Sequence, residues 1–330
     1  MKQFFKNKKK LFIVMMLMVI ALTGCSSPRG QNGKTYVNSI ITLEDVEVER
    51  QHVDFKPDSE EAKKYENYGP TELIKVEKTK WMDMMDEGWF HWLIVYPIAQ
   101  LINLVAKFSD AGIGIIVATF LIQVLMFLLS LKQQVSSQRM QELQPELLKI
   151  QAKYEGRTDD NAKMMQAQEM QALYNKYKVN PIGSLVVTFL QFPIILGMYQ
   201  ATMRAHAVVN GTFLGINLAK SPLEGIKTPD FVWYIVIFLL MIGFQFLSFK
   251  IPQWLAERRK KAKKIKEKKY AKPKNSGDAQ MNMNMVMYSN IIMISLFAIN
   301  WPLAMSFYWL VGSVLRVAQN IMINKFFIKD

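Results

Sequence analysis

Long apolar blocks alternate along this chain with strongly charged stretches, a division that a chain shared between bilayer and water shows. Runs close to the ~20 residues that a bilayer core requires fall at 112–131, 184–203 and 231–249. The C-terminal block from Val286 to Ile323 is too long for one helix, and Asn300-Trp301-Pro302 interrupts it with turn chemistry. It predicts two further spans, 286–299 and 303–323. Ahead of the first span, Trp89, Trp92, Tyr96 and Pro97 introduce a shorter apolar stretch over 90–106, with Gln100 and Asn103 on its polar side. An interfacial helix fits that stretch better than a span.

The segments between these blocks predict the rest of the organisation. Residues 132–180 are rich in Gln, Met, Leu and Lys with good helix formers throughout, and Gly156-Arg157-Thr158-Asp159-Asp160 breaks them in the middle, so a helical hairpin with a mobile tip is expected. Residues 25–88 are polar and acidic without a sustained apolar period, as expected of a short, partly ordered external segment with no catalytic role. At the N-terminus, Lys2, Lys6, Lys8, Lys9 and Lys10 precede an apolar core, Leu11 to Leu22, that is too short for an ordinary span. This predicts a signal peptide over 1–24. The core ends in Leu22-Thr23-Gly24-Cys25, which resembles the lipobox of bacterial lipoproteins; the resemblance implies cleavage before Cys25, a diacylglyceryl group on its thiol and an N-acyl lipid on its amine. The other reading of 11–22 is an uncleaved anchor.

Composition sharpens this picture. Of 330 residues 51% are hydrophobic, with 20 Phe and 22 Met, and the formal charge is +14. Such a charge could mark nucleic-acid binding, so its placement decides. The stretch from Lys250 to Lys274, within a predicted loop over 250–280, carries twelve Lys and Arg against Glu257 and Glu267, whereas the loop from Arg204 to Asp230 carries only Arg204, Lys220 and Lys227. If a lipidated Cys25 is outside, five crossings put 132–180, 250–280 and the C-terminus in the cytoplasm, and the positive charges agree. Anionic lipid is the expected partner of the basic loop, at ~1 kcal/mol per charge near the surface, with ribosomal RNA as the other reading and no specific nucleic-acid sequence. The expected location is the plasma membrane.

Polar side chains at bilayer depth face other helices or a wet cavity, and they are the candidate site. Thr119, Gln123 and Ser130 share one face of the first span; Thr188, Gln191 and Thr202 lie on the second, Gln245 and Ser248 on the third, and Ser313, Arg316, Gln319 and Asn320 stripe the last. The glutamines could equally be interhelical glue worth ~0.6 kcal/mol per bond. Arg316 costs roughly 2.5 to 3.5 kcal/mol on insertion scales, unless it snorkels to the inner surface. The three histidines, His52, His91 and His206, are not in metal-ligand spacing, and no Gly-rich phosphate loop is present, so no enzyme chemistry, metal or soluble cofactor is expected.

Several stretches resemble the YidC/Oxa/Alb membrane insertases. Met140 to Gln151, running on through Lys153-Tyr154, is similar to the start of that family's cytoplasmic hairpin. Asn180-Pro181-Ile182-Gly183 with Gln191-Phe192-Pro193-Ile194 resembles its second core helix, and Phe307-Tyr308-Trp309 with Gln319 its last. The lipoprotein signal before a five-span core is similar to the form in bacteria lacking an outer membrane. The resemblance implies an all-α polytopic membrane protein with five transmembrane helices around a hydrophilic groove, closed outward and open to cytoplasm and lipid, within a core at 89–330. Thr119, Gln123, Thr188, Gln191, Gln245, Ser313, Arg316 and Gln319 would line that groove, with Tyr308 and Trp309 on its wall. The implied clients are nascent membrane proteins, with the Sec translocon and the ribosome as further candidate partners. Where the family usually has a first-span arginine, within a pattern like Thr-Ile-Ile-Val-Arg, this chain reads Thr119-Phe120-Leu121-Ile122-Gln123, and a cation appears instead at Arg316, within about one helical turn of the same depth. A small-solute or ion transporter and a non-inserting assembly scaffold are the competing readings. No internal repeat supports the transporter.

Overall fold

The computed structural model describes residues 27–262 and 283–328, apart from Gln31 and Thr158. The expected signal peptide, Cys25 and most of the basic loop lie outside the described residues. The chain divides into two compact units, one of residues 1–122, 189–241 and 296–311, the other of 123–188, 242–295 and 312–330.

In the first unit the polar N-terminal segment is not a loose tether. It forms the strands β1 (Thr35–Tyr36), β2 (Val46–Glu49) and β3 (Val53–Asp54), the short helix α1 (Glu60–Lys64) and strand β4 (Leu73–Val76). β1 pairs parallel with β3, and β2 pairs antiparallel with β4, matching Val46 to Val76 and Val48 to Ile74. Alternation explains why so few apolar residues suffice: Val48, Ile74 and Val76 point one way in the β2–β4 pair and close, with Val37, Ile40, Val53, Tyr65 and Val209, into a small core. A π-helical turn (His91–Val95) then leads into α2 (Tyr96–Ala106).

The polar side of α2 faces protein. Gln100 donates to the Thr42 carbonyl at 2.9 Å, while Asn103 donates to the Ile41 carbonyl at 2.7 Å and accepts from the Ala207 N–H at 3.0 Å. Ile41 in turn bridges the chain where α6 (Pro181–Arg204) gives way to the short α7 (His206–Asn210): its N–H donates to Arg204 O at 2.7 Å and its carbonyl accepts from His206 N at 3.1 Å. The two side chains on the polar side of this helix therefore bond to backbone groups of neighbouring segments.

Helix α3 (Ala111–Glu142) starts at Asp110, whose carboxylate accepts from the Ile113 N–H at 2.9 Å. It runs on past the predicted end of the span, since nothing between Lys132 and Glu142 breaks a helix. The turn at Leu143 ends it, and Pro145 sits in the first turn of α4 (Gln144–Tyr154), where a missing N–H costs no bond. The short α8 (Pro222–Gly225) precedes α9 (Phe231–Ala262), which likewise outruns its predicted span. α10 (Met283–Asn300) and α11 (Leu303–Phe326) meet at Trp301-Pro302.

In the second unit, α4 and α5 (Asp160–Lys176) form a hairpin turned at Gly156, whose φ of 82° favours glycine. Tyr154 donates to Glu169 at 2.7 Å and Tyr177 to Glu146 at 2.8 Å across the pair, and Asp159 caps α5 by accepting from Ala162 N. At the hairpin's base Asn180 N donates to Ser136 at 3.0 Å. Glu142 forms an ion pair with Arg259 of α9 at 2.6 Å.

Candidate functional site

Two helices among the described residues, Ala111–Glu142 and Phe231–Arg259, are long and apolar enough to cross a bilayer; Met287–Asn300 is apolar and shorter. Their large side chains point outward more often than inward: Leu128 and Leu129 are each 65% exposed, Leu239 60% and Leu296 62%. Water would not tolerate so many exposed large apolar side chains on so few helices, whereas lipid does. Polar residues show the converse. Gln123, Ser130, Gln138, Gln245, Ser248 and Ser313 are all buried.

Within the second unit Gln245 joins two other helices. Its Oε1 accepts from the Arg316 guanidinium at 2.8 Å, and its Nε2 donates to Asn290 Oδ1 at 3.3 Å, so one amide on α9 serves both α10 and α11. Gln319 donates to the Gln123 carbonyl on α3 at 3.3 Å. One turn beyond Arg316 on α11, Asn320 donates to the Ser248 carbonyl at 3.1 Å and accepts from Gln138 at 3.2 Å. Ser248 itself turns back onto the Gln245 carbonyl at 2.8 Å. Arg316 is half-buried, and its bond to Gln245 is charge-assisted, a class worth about 1.5 to 3 kcal/mol.

The remaining predicted residues divide as follows. Thr119, Gln191, Tyr308 and Trp309 belong to the first unit. There Gln191 donates to the Tyr308 hydroxyl at 3.4 Å. Tyr308 and Trp309 are almost wholly buried, and the Trp309 ring stacks on Trp301, which also packs on Tyr199 with ring centres 4.3 Å apart. Thr119 is fully buried and its hydroxyl finds no partner among the described residues. Ser313 is fully buried as well. Thr188 falls in the part of α6 whose side chains lie outside the described residues. No group of three or more His, Cys, Asp and Glu is placed to hold a metal among the described residues.

Asn290 and Gln138 join the network without having been singled out from the sequence. Asn290 had a readable signal, an amide inside the apolar run Ile291-Ile292-Met293 and its surroundings, while Gln138 lies in a stretch rich in glutamines, where no single one stands out. Arg204 was read only as one of three cations in a loop. It is instead 2% exposed at the end of α6, with its guanidinium 2.6 Å from Glu87 and 3.3 Å from both His91 Nε2 and Gln200.

Apolar outward faces around polar interior bonds define a helical integral membrane protein. The chain belongs to the family of the 60Kd inner membrane protein, which matches residues 103–330. It is 34% identical over 235 residues to the membrane protein insertase MisCA of Bacillus subtilis strain 168, covering 70% of this chain and 77% of that one. It is 32% identical to the membrane protein insertase YidC 2 of Bacillus anthracis over 234 residues, 70% and 79% of the two chains. With the insertase YidC of Oceanobacillus iheyensis it shares 30% identity over 241 residues, 72% and 85% of the two.

Proposed function

We propose that this chain is a membrane protein insertase that receives nascent membrane proteins on the polar set of its second unit and releases them into the bilayer, alone or with the Sec translocon. Membership of the family and the insertase names of its relatives support the activity. The observation that carries the mechanism is the bond between Arg316 and Gln245. One partner of this cation is an uncharged amide, which binds the guanidinium without bringing an opposing charge to it. An acidic or polar client segment lying beside Arg316 gains a counter-charge there, and the distance over which it must cross hydrocarbon unaided shortens.

In this reading five helices span the bilayer, the hydrophilic surface opens to the cytoplasm and the lipid, and α4 and α5 stand on the cytoplasmic side. A lipidated Cys25 holds the N-terminus outside. The basic stretch beyond Lys250 lies against anionic lipid, with ribosome contact as a lesser role. No covalent step is needed: partitioning of the client's apolar segment drives release.

The test is reconstitution of the purified chain in liposomes with a small single-span client carrying an acidic external segment, scored as protease-protected insertion. Wild type inserts above empty liposomes, Arg316→Ala falls several-fold, and Arg316→Lys retains most activity. Insertion no better than empty liposomes refutes the insertase reading. Equal insertion by wild type and Arg316→Ala refutes the role of the charge alone.

A further inference from the structure

Within the first unit lies a cavity of about 280 Å³ that the insertase reading does not use. It is walled by the chain around β1, the turn from β2 to β3, α7 and the segment 217–224. Arg29, Lys34, His52 and Lys220 line it, and Glu224 is the one carboxylate among its described lining residues. Arg29, Lys34 and Lys220 against Glu224, three cations against one carboxylate, leave a net charge of +2 on the walls.

That carboxylate is already committed. Glu224 accepts from the Ser221 N–H at 2.7 Å and from the Ser221 hydroxyl at 3.0 Å as the reciprocal half of a capping box. Asp54, on the neighbouring strand, accepts from Phe55 N at 2.9 Å and Asn32 at 3.5 Å. Arg29 meanwhile is under-satisfied. Its Nη2 donates to the Ala219 carbonyl at 2.6 Å, but its Nε is shut off from solvent with no hydrogen-bond partner among the described residues. Burial depresses the pKa of this arginine, with Tyr199 and Glu224 acting in the other direction.

The walls are pinned independently of any ligand. Thr35 donates to the Met203 carbonyl at 2.8 Å, His52 Nδ1 lies 2.7 Å from Asn210 Oδ1, and the Lys220 carbonyl accepts from Leu303 N at 2.8 Å. A half-buried guanidinium with an unbonded Nε, among lysines on pinned walls, is a pre-organised anion site.

We infer that this cavity binds a phosphate-bearing anion, with Arg29 and Lys220 as its principal contacts. The volume sits at the small end of ligand cavities, suited to a headgroup and not to a larger cofactor. Two sources share this chemistry, free phosphate and the headgroup of an anionic phospholipid. The second is favoured if Cys25 is lipidated: it stands four residues before Arg29, and four extended residues reach at most about 14 Å, so the site would lie near the headgroups. That preference rests on the proposed lipid anchor; the anion site itself does not.

The experiment uses the full chain in a zwitterionic detergent, with inorganic phosphate, short-chain phosphatidylglycerol and short-chain phosphatidylcholine titrated separately at matched ionic strength. Saturable binding of phosphate or phosphatidylglycerol, weakened about tenfold or more by Arg29→Gln with Lys220→Gln, is the expected result. Phosphate binding as tightly as phosphatidylglycerol assigns the site to the free anion, and tighter binding of the lipid assigns it to the headgroup. If the Arg29 variant does not fold, Lys34→Gln with Lys220→Gln, both exposed, must still weaken binding several-fold. No preference over phosphatidylcholine and chloride, or binding that survives the folded variants, overturns the inference. Because binding is scored apart from insertion, its failure leaves the insertase reading untouched.

Discussion

At the scale of single residues, the chemistry rests on side chains whose worth is set by the partners they reach. Gln245 holds Arg316 and Asn290 through the two ends of one amide. Gln245→Leu removes one acceptor from a half-buried cation and should cost about 1.5 to 3 kcal/mol, visible as a lower melting temperature in detergent. Gln245→Glu separates charge from bonding: it should keep or raise the melting temperature while lowering insertion of acidic clients, because a carboxylate neutralises Arg316 in place. Normal insertion by that variant would remove the charge from the mechanism. His91 supplies a pH dependence. Its Nδ1 donates to the Glu87 carbonyl at 3.1 Å, so its Nε2 is the acceptor for Arg204, which requires the neutral ring. Burial and then the Arg204 guanidinium hold its pKa below the ordinary histidine value. The unfolded chain therefore takes up the proton first, and the stability from His91 is complete above about pH 6.5 and lost as the pH falls below it. Burial shifts His206 in the same direction. The melting temperature should drop on mild acidification, and His91→Gln should flatten part of that slope; an unchanged slope would show that the ring does not report on folding.

At the scale of elements, close packing decides more than propensity. A Cβ at Gly114 of α3 would stand 2.6 Å from the backbone oxygen of Ile102 in α2, whereas one at Gly243 in α9 would meet nothing within 4 Å. Gly114→Val should therefore push the two helices apart at a cost of about 1 to 3 kcal/mol. Gly243→Ala should leave the melting temperature unchanged or raise it, since a helix interior prefers alanine. Equal effects of the two substitutions would show that α2 and α3 do not pack this closely. Helix lengths were readable to within a turn or two where a breaker marked the end, as at Gly156 and at Trp301-Pro302. Span bounds are a different matter: at Leu131 and Phe249 the apolar run stops but the helix does not. Hydropathy reports a change of solvent, and a helix made of Lys, Gln and Ser can cross that change intact.

At the scale of the whole molecule, the proposed orientation is open to a direct check. With Cys25 replaced by serine, single cysteines at Lys227 and Arg157 should be labelled by a membrane-impermeant thiol reagent from opposite sides of sealed cells, Lys227 from outside and Arg157 only after lysis. The reverse pattern would invert the proposed topology. The sequence alone determined where apolar runs lie, where the hairpin turns and which buried amides and cation to suspect, because partitioning between lipid and water and helical periodicity are local properties of a chain. Only the tertiary structure decided what those groups bond to. Val48 closing a core with Val209, Asn103 bonded to Ile41, Arg204 buried against Glu87 and Gln245 joined to Arg316 all link residues tens to more than a hundred positions apart. No period or spacing encodes such pairs; they form because a buried polar group must find a partner, and the fold determines which partner is within reach.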